Sequence, residues 1–295
     1  MKRLFLLLIT LPLLLWGCGE PNATQTIFAM DTVMTFQVWG KDAPQAVQRI
    51  SHTISDLESR YNRAGLARGA ADPAVLQETL DLSRRTGGAF DPQLGSVTAL
   101  WNFTAEDPKI PTAEQIRDAL QEKTWDLGGA LKGYAGQKCV GLLKEMQIDR
   151  AILNLGGNVQ TYGQKKDGTP WQVGIQNPQG GDPVGILAVE GTASVVTSGD
   201  YQRFFEVDGV RYHHILDPKT GYPARSGLRS VTVICRDGMT ADCLSTALFV
   251  MGLEQGSAFW RDSLDFEAVF LTEDGKIYAT QGVSLSGCDY EVIRR

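Results

Sequence analysis

The sequence predicts an α+β fold, with antiparallel-rich sheets and helices packed against them. Three observations carry that expectation. Helical spacing is confined to separate stretches, residues 43–60, 73–86, 112–120, 132–146, 239–251 and 254–262. Short β-branched and aromatic runs crowd residues 151–235, and Asp208-Gly209 reads as a two-residue hairpin turn between two of them. A last group of strand-like runs closes the chain at residues 266–272, 277–280 and 290–293. There is no repeat of obvious period and no long linker.

In order, the chain opens with Lys2 and Arg3, then an apolar run over residues 4–15 that is too short to span a bilayer. Leu15-Trp16-Gly17-Cys18 resembles a bacterial lipobox, cleaved before a cysteine that takes up lipid. We therefore expect a lipoprotein signal peptide at 1–17, lipidated Cys18 with a polar tether at 18–26, and a single domain at 27–295. That expectation places the protein on the periplasmic side of a bacterial membrane, held by its lipid anchor. Gly19 after the cysteine favours the outer membrane over the inner. Ordinary secretion or an uncleaved anchor are the alternatives.

Residues 27–39 read as one or two strands interrupted at Asp31 and Thr32. Ala46, Val47, Ile50, Ile54 and Leu57 then share one helical face. The next helix follows Asp72 and stops at Gly87-Gly88. Further strands fall at 151–155, 171–176, 184–189, 194–196, 201–207, 212–215 and 230–235. Composition is that of an ordinary globular protein, 43% hydrophobic and 21% charged over 295 residues. The net charge of −6 and the lack of a basic run beyond the N-terminus argue against nucleic acid as a partner. Cys139, Cys235, Cys243 and Cys288 contain no CxxC pair, so a zinc cluster is disfavoured, while disulfides and buried free thiols both stay open.

Three segments could carry chemistry. Gly128-Gly129 precedes a helix that has Lys132 in its opening turn, which suits an anion, although taken alone the segment is better explained as a plain helix cap. Asp242, Ser245 and Thr246 sit at i, i+3 and i+4, placing a carboxylate and hydroxyls on one helical face. Such hard oxygen donors suit Mg²⁺; the plain alternative is a helix-capping aspartate and a packed threonine. His214 is a candidate general base or acid; His213 alternates with it along a strand, so the two face opposite ways and one is expected to be structural. Asp217 is a candidate to orient His214. No GxSxG elbow is present, which disfavours a serine hydrolase of that fold.

Seven segments occur in one order: AMDTVMTF near residue 30, GGAFDPQLG at 87–95, DLGGALKGYA at 126–135, NLGGNVQTYG at 154–163, TSGDYQRFF at 197–205, YHHILDPKTGYP at 212–223 and ADCLSTALFVMG at 241–252. On these the chain resembles the ApbE family of FAD:protein FMN transferases. The resemblance implies a T-fold-like architecture and a flavin transferase domain over residues 27–295. It implies Mg²⁺-dependent transfer of FMN from FAD to a Thr or Ser hydroxyl through a phosphodiester, with release of AMP. The implied acceptor is an exported subunit of a redox pump or electron-transfer complex, bearing a motif like S/T-G-A-S/T. Carried over by position, the metal ligands are the backbone of Gly129 with Asp242 and Thr246, and Ser245 close by. FAD contacts come from Met30, Tyr61, Ala89, Phe90, Asp91, Asp126, Lys132 and Ile215; His214 and Asp242 are the catalytic candidates. Two alternatives accompany this reading: an FAD pyrophosphatase giving FMN and AMP, and a non-catalytic lipid-anchored flavin-binding protein.

Overall fold

The computed structural model describes residues 19–295, so the expected signal peptide and Cys18 lie outside the described residues. The first hairpin pairs β1 (Ala23–Ala29) with β2 (Thr32–Trp39). Met30 and Asp31 form its tip, both left-handed with φ 50° and 57°. The fold thus begins earlier than the expected tether end, because residues 23–26 already pair with β2. Residues before them are also held: the Trp39 indole N–H donates to the Gly19 carbonyl at 2.7 Å.

Helices α1 (Ala43–Tyr61), α2 (Arg63–Ala67), α3 (Pro73–Arg85), α4 (Gly95–Trp101), α5 (Ala113–Gln121) and α6 (Leu131–Glu145) follow. The buried face of α1 is the one its spacing predicts. Asp72 caps α3, and Thr112 with Gln115 closes a capping box at the start of α5. Two short helices, α2 and α4, are absent from the sequence reading; at 5 and 7 residues they are too brief to show a period.

The main sheet then grows from β3 (Arg150–Asn154), β4 (Asn158–Tyr162), β7 (Ala193–Gly199), β10 (Leu228–Cys235), β11 (Phe266–Thr272), β12 (Ile277–Thr280) and β14 (Glu291–Ile293). Its order is β1-β2-β3-β4-β7-β10-β11-β12-β14, antiparallel except for the last pair. A second sheet holds β5 (Trp171–Ile175), β6 (Gly185–Val189) and β13 (Leu285–Ser286), and a hairpin joins β8 (Phe204–Val207) to β9 (Val210–His213). The strand expected at 201–207 therefore starts only at Phe204, since residues 200–203 turn out of β7. The polar run Thr197-Ser198-Gly199 belongs to β7 itself.

Alternation along the strands builds three layers. Met34, Phe36, Ala151 and Leu153 point to the helices, while their neighbours Trp39 and Ile152 point to the small sheet. Val231, Val233, Ala268 and Phe270 likewise pack beneath α7 (Gly238–Arg261), and Val269 faces the small sheet. Helix α7 is two helical pieces joined at Gly252 (φ 77°), matching the two helices expected either side of that residue. Helices α6 and α7 cross closely: a Cβ on Gly133 would lie 1.9 Å from the Gly238 carbonyl oxygen.

Among the described residues, no helix is long and apolar enough to cross a membrane. Cys139, Cys235 and Cys243 are buried free thiols, and Cys288 is free and half-buried, so the free-thiol alternative holds.

Candidate active site

One end of the main sheet collects the turns Met30-Asp31, Leu155–Gly157 and Asp200–Arg203. The α6 start and the middle of α7 pack beside it. Asp242 is 3% exposed, and its Oδ2 accepts the Gly133 backbone N–H at 2.8 Å. Burial pushes the Asp242 carboxyl upward; the Lys132 charge and the Gly133 N–H oppose that. The capping alternative for Asp242 is excluded, because Asp237 caps α7 through the Thr240 N–H at 2.7 Å.

Thr246 lies one turn further along α7. Its hydroxyl is 3.3 Å from the Ser198 hydroxyl, which pairs with Ser245 at 2.8 Å. Ser245 is fully buried and donates back to the Asp242 carbonyl at 2.8 Å, so its hydroxyl braces the turn. Gly129 completes the cradle. A Cβ there would stand 3.1 Å from Thr246 Oγ1 and 3.3 Å from Phe90 Cε2, so the Gly129 backbone lies directly against both side chains.

Phe90 is buried, and the segments bearing it and Gly129 run side by side: Asp126 N donates to the Pro92 carbonyl at 2.8 Å. Asp126 Oδ1 accepts the Gly128 N–H at 2.8 Å and so shapes the Gly-Gly turn. Asp91 accepts from the Gln93 N–H at 2.8 Å and pairs with Lys123 at 3.2 Å. Ala89 and Lys132 are half-buried. The structure thus gathers Ala89, Phe90, Asp91, Asp126, Gly129, Lys132, Asp242, Ser245 and Thr246 into one neighbourhood.

The two histidines separate by role, as their alternation predicts. His213 is 3% exposed, with Nε2 3.0 Å from the Ala224 carbonyl and Nδ1 accepting the Ile215 N–H at 3.3 Å. That pattern fixes the Nε2–H tautomer and a structural role. Burial, chiefly, drives its pKa down to about 4. His214 donates its backbone N–H to the Arg203 carbonyl at 3.0 Å, while its buried Nδ1 has no partner. Burial of the ring comes first, and the Arg203 and Lys132 charges second and third, in pushing His214 down to about 3. It is therefore a neutral imidazole in the free protein at neutral pH. Asp217 does not orient it: its Oδ1 accepts the Lys219 N–H at 2.9 Å and its backbone closes the turn to Gly221 and Tyr222.

Three expected flavin contacts are tied into the scaffold. The Met30 N–H donates to Glu58 Oε1 at 2.7 Å. Tyr61 is 2% exposed, accepts the Asp72 N–H at 3.3 Å and meets Tyr134 edge-on. The Ile215 side chain belongs to the core under α7, and its carbonyl accepts from Ala224 at 2.9 Å.

Residues missed by sequence reasoning include Asn158, Ser198 and Asp200. Asn158 is 1% exposed and faces Asp242 from β4, yet neither amide atom closes a hydrogen bond. Such an orphaned buried amide is costly unless a ligand completes it. Asp200 is buried against Arg229 at 3.0 Å and Arg211 at 3.7 Å. The polar run at 197–200 is the local signal for Ser198 and Asp200, while Asn158 only follows a Gly-Gly pair.

A carboxylate, hydroxyls, a main-chain cradle and an orphaned amide form a cluster of hard donors, and the Lys132 charge acts on both Asp242 and His214. Among the described residues, no three His, Cys, Asp or Glu side chains group as a metal cluster, so a thiolate or polyhistidine centre is not what this donor set builds. Hard oxygen donors close to a lysine are the groups an enzyme of phosphate chemistry would need. Residues 30–270 match the model of the ApbE family, and the chain belongs to that family.

The FAD:protein FMN transferase of Treponema pallidum (strain Nichols) is 34% identical over 245 residues, covering 71% of this chain and 68% of that protein. That of Klebsiella pneumoniae (strain 342) is 37% identical over 254 residues, 78% of each chain. Among solved structures, the ApbE protein of Thermotoga maritima superposes with TM-score 0.78 at 29% identity, over 88% of this chain and 97% of that one. The flavin transferase ApbE of Vibrio cholerae gives 0.76 at 27%, with the same coverage. The family and the α+β class read from the motifs are borne out.

Proposed function

We propose that this chain transfers FMN from FAD to a Thr or Ser hydroxyl of an exported protein, forming a phosphodiester and releasing AMP. Membership of the family supports the transferase class. The observation that carries the chemistry is the convergence of Asp242, Thr246 and the Gly129 backbone beside Lys132. Asp242, Thr246 and the Gly129 carbonyl would hold Mg²⁺, with Ser245 as brace and Asn158 completing the surround. Bound there, Mg²⁺ supplies charge neutralisation on phosphate oxygens.

The protein's own groups do the rest. Lys132 draws the diphosphate to the α6 N-terminus. Phe90, Asp91, Ala89 and Asp126 line the approach for the flavin nucleotide, with Met30, Tyr61 and Ile215 fixing its walls. His214, neutral and partnerless at Nδ1, takes the proton from the acceptor hydroxyl. The acceptor oxygen forms its bond to the FMN phosphorus, and the bridging oxygen leaves with AMP.

The test is incubation with FAD, Mg²⁺ and a peptide carrying S/T-G-A-S/T. The peptide gains the mass of FMN less one water, and AMP appears in equal amount. Free FMN instead of labelled peptide would establish the pyrophosphatase; no AMP at all would leave only a flavin binder. Asp242→Ala abolishes the Mg²⁺-dependent reaction, and His214→Ala lowers transfer by about 10²-fold or more. Full activity of either variant would remove that residue from its role.

We further infer that Cys18 carries lipid and holds the domain at the periplasmic face of a membrane, outer rather than inner. Cys18→Ser would release the protein into the soluble fraction; continued sedimentation with membranes would refute the anchor.

A further inference from the structure

We propose that Arg203, on the turn entering β8, binds the FAD diphosphate beside His214 and neutralises charge on the departing AMP phosphate. This rests on the transfer reading above.

Strand register places the two side chains together. Phe204 pairs with His213 and Phe205 with Tyr212, so the next rung opposes Arg203 to His214. That rung is closed by the His214 N–H to the Arg203 carbonyl at 3.0 Å. Directly opposed residues of an antiparallel pair project from the same face. The same face carries Phe205 and Tyr212, stacked with centroids 5.4 Å apart and packed on Trp101. His213 points the other way, into the core with Phe249.

The cations around this hairpin differ in what they hold. Arg229 pairs with Asp200 at 3.0 Å. Arg211 pairs with Glu206 at 3.1 Å and lies 4.1 Å over the Phe204 ring. Arg225 donates to the Arg211 carbonyl at 2.8 Å. Arg203 has a looser ion pair, to Asp31 at 4.0 Å, with the two side chains 41% and 75% exposed. A pair so exposed contributes little and is readily exchanged. Arg203 and Lys132 both act electrostatically on the His214 ring, so two cations flank an uncharged base. A diphosphate carries the charge to engage both cations, and the planar guanidinium suits two phosphate oxygens.

In the transfer step, the acceptor oxygen bonds to the FMN phosphorus and its proton passes to His214. The bond from that phosphorus to the bridging oxygen breaks, and the electron pair stays on the AMP phosphate, where Arg203 meets it. Nothing else is consumed.

The experiment compares wild type, Arg203→Ala and Arg203→Lys in the full-length protein with FAD and Mg²⁺. FAD affinity is read by flavin fluorescence and turnover by AMP release, each with and without added guanidinium. In Arg203→Ala, affinity falls about 10-fold and turnover about 10²-fold, the scale of losing one charge-stabilising donor. Arg203→Lys and free guanidinium each restore part of the turnover. Affinity and turnover equal to wild type in folded Arg203→Ala would overturn the proposal. So would a loss that neither Lys nor guanidinium rescues, which would mark a distorted hairpin. If wild type itself neither binds FAD nor releases AMP, the transfer reading has failed first.

Discussion

His213 and His214 are adjacent in sequence and opposite in chemistry. Both imidazoles are driven below the usual 6.5, to about 4 and about 3 respectively, with burial as the main cause. Unfolded, both bind a proton as pH drops through 6.5. Folded, neither does until well below it. The unfolded state therefore holds more protons across that window, so stability is complete above pH 6.5 and falls as acid is added. Each histidine contributes a slope of up to about 1.4 kcal/mol per pH unit. Denaturant midpoints measured between pH 4 and 7 check this, and His213→Gln flattens the curve.

The free protein's neutral His214 also predicts that kcat/KM has no acidic limb from this group near pH 6. A bound diphosphate favours the imidazolium and raises its pKa. The acidic limb of kcat should consequently lie at higher pH than that of kcat/KM. Coincident limbs would show that the diphosphate does not sit beside His214.

At the scale of elements, α7 divides its two aspartates between stability and chemistry. Asp237 caps the helix, so Asp237→Ala costs about 1 kcal/mol in unfolding and leaves transfer intact. Asp242, one turn in, accepts the Gly133 N–H and is the proposed metal ligand, so its loss should be read in activity instead. The crossing of α6 with α7 fixes both. Gly133→Ala would drive a methyl into the Gly238 carbonyl, 1.9 Å away, in packed backbone. The helices must separate, at a cost of about 3 kcal/mol or more, and Asp242 loses the Gly133 N–H that orients it. Thermal unfolding together with FAD turnover reads both effects.

Across the whole molecule, the small sheet buttresses the main sheet from the face opposite the site. Trp171 is its anchor, 1% exposed, tilted against Trp39 at 5.8 Å and donating to the Gly163 carbonyl at 2.9 Å. Trp171→Ala should destabilise by about 3–5 kcal/mol. Activity per folded molecule should persist, because the helices and hairpin that form the site lie on the other side. Active-site titration of the folded fraction tests this.

The sequence by itself determined the family, the α+β class and the long amphipathic helices, because periodicity and ordered motifs are local properties. It also determined that one of the paired histidines would be structural, since neighbours on a strand face opposite ways. Tertiary structure alone decided which one, through the Ala224 carbonyl and Ile215 N–H that close around His213. It alone excluded Asp242 as a cap, and brought Asn158 from β4 and Ser198 from β7 against α7. Those residues are separated by dozens of positions, and no local pattern encodes the strand order that joins them. Their burial, which gives the unpaired amide and the shifted carboxyl their meaning, exists only once the layers have packed.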